Sequence, residues 1–207
     1  MTESKIHYAN AYPKVMVACS DNQFIKWKNN PFVGRLLTPV FQSSEIHRYI
    51  SADNYAFIKF DAPKYVEMLR KFIHTPHILR WVTAPDVVGD CKETYKKFGV
   101  WGEVLNGFGF DVAYVLQDGQ TFDSIPLSDI RCVFLGGTDD FKLSREAYRL
   151  CARCKDAGKI IHIGRVNSYI RIRRFIDVMD SFDGLSFSKF RDTHLQKLLD
   201  YLENRLK

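Results

Sequence analysis

The chain has 207 residues, of which 46% are hydrophobic and 26% charged. That is enough for one domain over residues 1–207, with a core that needs neither metal nor disulfide to fold. Five cysteines, an odd number outside any spaced framework, argue against an extracellular disulfide scaffold and for a reducing, cytoplasmic setting, and no apolar run approaches membrane-spanning length. The net charge of +6 suits a polyanionic partner without requiring one.

In chain order, Pro13 to Ser20 reads as a first buried strand, ending in the polar trio Ser20, Asp21 and Asn22. The following stretch, with Trp27, Pro31, Gly34 and Pro39, has the irregular punctuation of a loop or short helix. His47 to Ala52 is a second strand that empties into Asp53 and Asn54, and Pro63 through Ile73 carries helical periodicity with proline in its first turn. The run Arg80 to Ala84 is a third strand, stopped by Pro85, which cannot donate to a ladder, so that Asp86 lies just past a carboxyl end.

Asp90 reads two ways, as a second acid of that loop or as the N-cap of the next helix with Glu93 three residues on. That helix is expected from about Asp90 toward Gly107, interrupted near Gly99 and Gly102. Phe110 to Leu116 and Ile130 to Leu135 are further strands, delivering Gln117-Asp118-Gly119-Gln120 and the pair Gly136-Gly137. Ser144 caps a helix to Lys155 with Gly158 as its stop, and Lys159 to Ile163 is a strand ending in Gly164-Arg165-Val166-Asn167-Ser168. Asn167 or Ser168 caps a helix carrying Arg171, Arg173 and Arg174. A last strand is expected around Asp183 to Phe187, before a closing helix from about Asp192.

Strands alternating with helices or crossovers predict a wound parallel sheet, either open or closed into a compact (β/α)8 barrel. Polar residues after almost every strand favour the barrel, because an open sheet gathers them at one switch point. Asp53, Asp86, Asp183 and Gln117, with the backbone of Gly136 and Gly137, then converge on one face. Carboxylates and an amide suit base edges, and two acids in different environments can divide nucleophile and acid/base roles.

Six motifs, taken together and in order, resemble the tRNA-guanine transglycosylase superfamily: Asp53-Asn54-Tyr55-Ala56-Phe57, Ala84-Pro85-Asp86-Val87-Val88-Gly89-Asp90, Val115-Leu116-Gln117-Asp118-Gly119-Gln120, Phe134-Leu135-Gly136-Gly137, Gly164-Arg165-Val166-Asn167-Ser168 and Asp180-Ser181-Phe182-Asp183-Gly184. The nearer likeness is to its phage and bacterial branch, the DNA-guanine transglycosylases that install 7-deazaguanine bases. The resemblance implies a barrel enzyme in which Asp183 attacks the sugar C1′ and Asp53 assists proton transfer to and from the exchanging bases. It also implies that Asp86, Asp90, Gln117, Gly136, Gly137, Arg165 and Asn167 hold the base.

Arg171, Arg173 and Arg174 are candidates for phosphate contact. DNA is the expected polymer, with tRNA as the alternative, and a 7-deazaguanine such as preQ0 the second substrate; no cofactor is implied. Two features depart from the family: Tyr55 stands where a glycine is usual, and the stretch after Asp183 lacks the zinc-binding cysteines of the tRNA enzymes. Cys151-x-x-Cys154 with His162 lacks a fourth ligand, so no metal is expected. The rivals are a nucleoside deoxyribosyltransferase or hydrolase and a non-catalytic nucleic-acid-binding barrel.

Overall fold

The computed structural model describes residues 13–43 and 45–204. Eight parallel strands close into a barrel in sequential order: β1 Lys14–Val17, β2 Val33–Leu37, β3 Ile50–Ala52, β4 Val82–Thr83, β5 Val112–Leu116, β6 Cys132–Leu135, β7 Ile160–Ile163 and β8 Ser181–Asp183. β8 closes the circle on β1, with Lys14, Val15 and Met16 opposite Ser181, Phe182 and Asp183. The barrel fits so short a chain because its strands are no longer than five residues and its early crossovers are minimal. A single turn, α1 (Asp21–Phe24), lies between β1 and β2, and an irregular stretch joins β2 to β3.

The other crossovers carry α2 (Ala62–Arg70), α3 (Cys91–Gly107), α4 (Asp139–Lys142), α5 (Arg145–Asp156) and α6 (Tyr169–Phe175); α7 (Leu185–Lys189) and α8 (Gln196–Asn204) follow β8. The α3 helix runs unbroken through Gly99 and Gly102, contrary to the expected interruption. At Gly102 the Phe98 ring occupies the place a side chain would take.

Period-two alternation sorts the strand side chains into two layers. Val15, Val17, Val33, Leu37, Val133, Leu135, Ile161 and Ile163 face the helices in the outer core. Met16, Leu36, Trp81, Ala113, Val115, Cys132 and Phe134 fill the interior, with the Trp81 and Phe134 rings edge-to-face at 5.8 Å. His162, between two outward isoleucines of β7, turns inward and is fully buried beside both rings.

The β2 strand corrects the expected loop or short helix. Its pattern is broken by Gly34 and Arg35, yet all five residues are buried. Gly34 is there because a Cβ would come within 2.3 Å of the Met16 sulfur inside the barrel. Arg35 is fully buried on the outer side, paired with Asp21 at 2.8 Å and stacked 4.9 Å from the Phe24 ring. The last strand is also shifted: β8 ends at Asp183, and Leu185 to Lys189 is helical where a strand was expected. A three-residue strand is too short to impose a readable alternation, and Leu185-Ser186-Phe187 mimics one.

Candidate active site

Six consecutive strands bring one residue or more to a cleft at their carboxyl ends. Asp53 and Phe57 follow β3, Asp86 follows β4, Gln117 follows β5, Gly136 and Gly137 follow β6, Arg165 follows β7, and Asp183 ends β8. This end of a (β/α)8 barrel is where loops of independent sequence meet over a rigid frame, and where such folds do chemistry.

Asp183 is held from two sides. Its Oδ1 accepts the backbone N–H of Arg165 at 2.7 Å, and its Oδ2 lies 3.5 Å from His162 Nε2. The Arg165 backbone reaches it from a left-handed conformation, φ 58°. The same residue's guanidinium donates to the Gly137 carbonyl and lies 3.8 Å over the Phe57 ring, so one residue ties the nucleophile candidate, the glycine turn and the cleft mouth together. Buried Lys142 donates to the Gly164 carbonyl, and burial together with the nearby Arg165 charge lowers it to about 8, partly offset by the charges of Asp139 and Asp183. It places a cation near the Asp183 carboxylate.

Asp53 sits in different surroundings. Burial first, and then the neighbouring charges of Asp183 and Asp86, push it up to about 7, against the pull of backbone N–H groups of Tyr55 and Asn54. Asp86 is also raised, chiefly by burial, and is eased back by hydrogen bonds. Its Oδ1 accepts from Asn54 Nδ2 at 2.9 Å and its Oδ2 from Gln117 Nε2 at 2.7 Å; the buried Gln117 in turn accepts the Gly89 N–H at 2.9 Å. Asn54 also donates to the Ala84 carbonyl at 2.8 Å, so the loops after β3, β4 and β5 form one bonded unit.

The glycine pair is used differently at its two positions. Gly136 donates its N–H to the Leu116 carbonyl at 3.1 Å, so of the two only Gly137 can offer a backbone donor to a ligand. This narrows the expectation that both amides are bare. Gly137 has φ +77°, and a Cβ there would sit 2.7 Å from both Asp118 Oδ2 and Phe141 Cδ1. Gly137→Ala is expected to cost about 2 kcal/mol, since it adds backbone strain to the clash. Denaturant melts of the variant against the unchanged protein check this.

Not all the residues expected here line the cleft. Asp90 is the N-cap of α3, its carboxylate accepting from Lys92 N and Glu93 N, each at 3.0 Å. That is a correction to its substrate-side reading: an acid whose oxygen already satisfies two backbone donors of a helix end has its structural purpose there. Glu93 does not reciprocate and pairs with Lys96 instead. Asn167 is exposed and accepts the Ser186 N–H at 3.2 Å, which fastens the loop after β7 to the start of α7. Arg171 forms an ion pair with Asp139 at 2.9 Å, and Arg174 donates to the Ser144 carbonyl at 3.0 Å; Arg173 is the exposed member of the three. Cys151 and Cys154 are buried in the outer core, apart from His162 in the barrel interior, and all five cysteines are free.

Asn54, Phe57, Lys142 and His162 belong to the site although the sequence did not single them out. Tyr55 has φ 64°, the conformation that favours glycine, and is not among the cleft-lining residues. Phe57, not Tyr55, lines the cleft. The cavity between the carboxylates is only about 70 Å³, room for a few waters. Phe57, which is 54% exposed, and Arg165 stand over its mouth, so a ligand of more than a few atoms enters only if they move apart. A larger cavity of about 840 Å³ opens near the amino ends of the strands, lined by Lys14, Arg48 and Arg80 among others. Size does not make it the reactive centre, because Asp53, Asp86 and Asp183 all lie at the other end.

No protein-family profile matches the chain, and no curated protein does. Among solved structures it is similar to the YdjI aldolase from Escherichia coli K12, with TM-score 0.54 and 9% identity over 98% of this chain and 91% of that one. It is also similar to a tryptophan synthase from M. tuberculosis, with TM-score 0.48 and 11% identity over 96% and 93% of the two chains. A third likeness is to the Xanthomonas citri FimX EAL domain, with TM-score 0.43 and 14% identity, covering 75% of this chain. The chain spans 58% of the length of that EAL-domain chain. At these identities the likeness establishes the fold: the chain is a closed (β/α)8 barrel.

Proposed function

We propose that this barrel is a base-exchanging transglycosylase that replaces guanine in DNA by a 7-deazaguanine of the preQ0 type. The observation that carries the reading is one cleft holding two carboxylates in different surroundings: Asp53 pushed up to about 7 by burial and its acidic neighbours, and Asp183 bonded by a backbone N–H beside a buried lysine. Acid and nucleophile at one glycosidic bond require that division. DNA rather than tRNA follows from the resemblance of the six motifs to the DNA-modifying branch.

In the reaction, the target guanine leaves the base stack and enters the cleft as Phe57 and Arg165 part. An Asp183 oxygen attacks C1′ of the deoxyribose while the C1′–N9 bond breaks. The bonding pair goes to the guanine, and Asp53 gives that base its proton. The incoming base then loses its N9 proton to Asp53 and attacks C1′, which releases Asp183 and restores the intact strand. The Asp86–Gln117 pair and the Gly137 N–H face the base edge and choose between heterocycles.

The experiment is incubation of guanine-labelled DNA, or tRNA, with the protein and preQ0, following release of label. Release from DNA supports the proposal, and release from tRNA alone moves the polymer assignment. Silence on both overturns it. Phe57→Ala is expected to weaken retention of the base by about tenfold, the scale of one base–aromatic contact, read as a rise in KM for preQ0 with kcat little changed.

A further inference from the structure

His162 has no exposed surface and lies between Trp81 and Phe134, with ring centroids 4.7 and 4.5 Å away. An apolar side chain would meet that packing need at lower cost, since a buried ring nitrogen needs a partner. Nδ1 has one, Ser181 Oγ at 2.8 Å. Nε2 is buried without a hydrogen bond among the described residues, and the polar atom facing it is Asp183 Oδ2 at 3.5 Å. Whether Nε2 carries a proton follows from these neighbours. A lone pair on Nε2 would face a carboxylate oxygen and be repelled, whereas an N–H there is attracted. Ser181 can donate its hydroxyl proton to an unprotonated Nδ1 and so complete that arrangement.

We infer that His162 is a positioning residue for Asp183: an imidazole, fixed by Ser181 with a proton on Nε2, that steadies Oδ2 from inside the barrel. Oδ1 is already tied to Arg165 N. The carboxylate is thereby held from below and from the side, with its remaining lone pairs toward the cleft. When the second base displaces Asp183 and charge returns to its oxygens, the same N–H is in place to receive it. This last role rests on the transglycosylase reading; the Nε2 proton and the contact do not.

Two measurements keep the two claims apart. In a proton–nitrogen correlation spectrum of isotope-labelled histidine, His162 should carry a proton on Nε2, and that nitrogen's signal should move in Asp183→Asn. An Nε2 without a proton, or a signal indifferent to Asp183→Asn, overturns the inference whatever the protein's substrate. In the exchange assay, His162→Met should lower kcat about 100-fold, the scale of a misplaced reacting group, with KM for the incoming base within about twofold. His162→Gln, which returns an N–H near the Nε2 position, should recover most of that loss. Equal losses in the Met and Gln variants, or a loss carried by KM, would show mere packing and overturn the positioning role. An unaltered protein that releases no guanine would count against the transglycosylase reading instead, and the spectrum would still decide the contact.

Discussion

Asp183→Ala is expected to eliminate both guanine release and any covalent protein–DNA species, a fall of at least about 10⁴-fold if attack on C1′ passes through this carboxylate. The structure makes the effect specific to the chemistry. Asp183 is at the end of β8 with its side chain in the cleft, and the strand's pairing with β1 and β7 runs through backbone groups that the substitution leaves in place. DNA binding, which draws on the surface charge, should survive within a few-fold. The assay is single-turnover release of labelled guanine together with a denaturing gel. Full exchange by the alanine variant would remove Asp183 from the mechanism.

Asp53→Asn should separate activity from stability in opposite directions. The native state raises this carboxyl from an ordinary 3.8 to about 7, so folding favours its protonated form. The associated stability is complete below about pH 4 and is lost as pH rises toward and through 7. Over the full range this corresponds to at most on the order of 4 kcal/mol. An amide carries no charge and escapes the loss. The variant should therefore melt alongside the unchanged protein at pH 4 and several degrees above it at pH 8. It should also lose base release by about 10²–10⁴-fold, the usual range for a general acid. In the unchanged protein, single-turnover release should fall as pH rises above about 7, because the proton Asp53 must give is then gone. Equal melting temperatures at pH 8, or a release rate flat through pH 9, would contradict this assignment.

Much of the barrel was legible because its outer layer obeys simple alternation. The strands at β1, β3, β4, β5, β6 and β7 each pair apolar residues with a nearby polar or glycine stop, and from β3 to β7 that stop is where the cleft residues lie. Two strands were obscured for physical reasons. In β2, Arg35 occupies a fully buried position because Asp21, on the preceding turn, neutralises it, a tertiary pairing that no local pattern reveals. In β8, pairing with two neighbours holds only three residues extended, and the helix begins at once after Gly184.

The site shows the same division. Asp53, Asp86 and Gln117 could be named from where strands stop, whereas Asp183, expected at the start of a strand, was named through the resemblance of its motif. Asn54 bonds across loops to Asp86, and Lys142 reaches Gly164 from α4; both depend on distances between elements far apart in sequence. His162 left one signal, a polar residue at the inward position of Ile161-His162-Ile163, which period-two reading places inside the barrel. Asp90 illustrates the reverse: the sequence offered a cap and a loop acid, with the cap the better fit, and in the structure its carboxylate caps α3.

The most direct measurement is to mix the protein with guanine-containing DNA in the absence of an incoming base, quench with denaturant, and map any DNA-linked peptide by mass spectrometry. A deoxyribosyl adduct on Asp183, formed with stoichiometric release of guanine and dispersed on adding preQ0, is the expected result. An adduct on another residue, or guanine release with no adduct, would contradict a covalent exchange through Asp183.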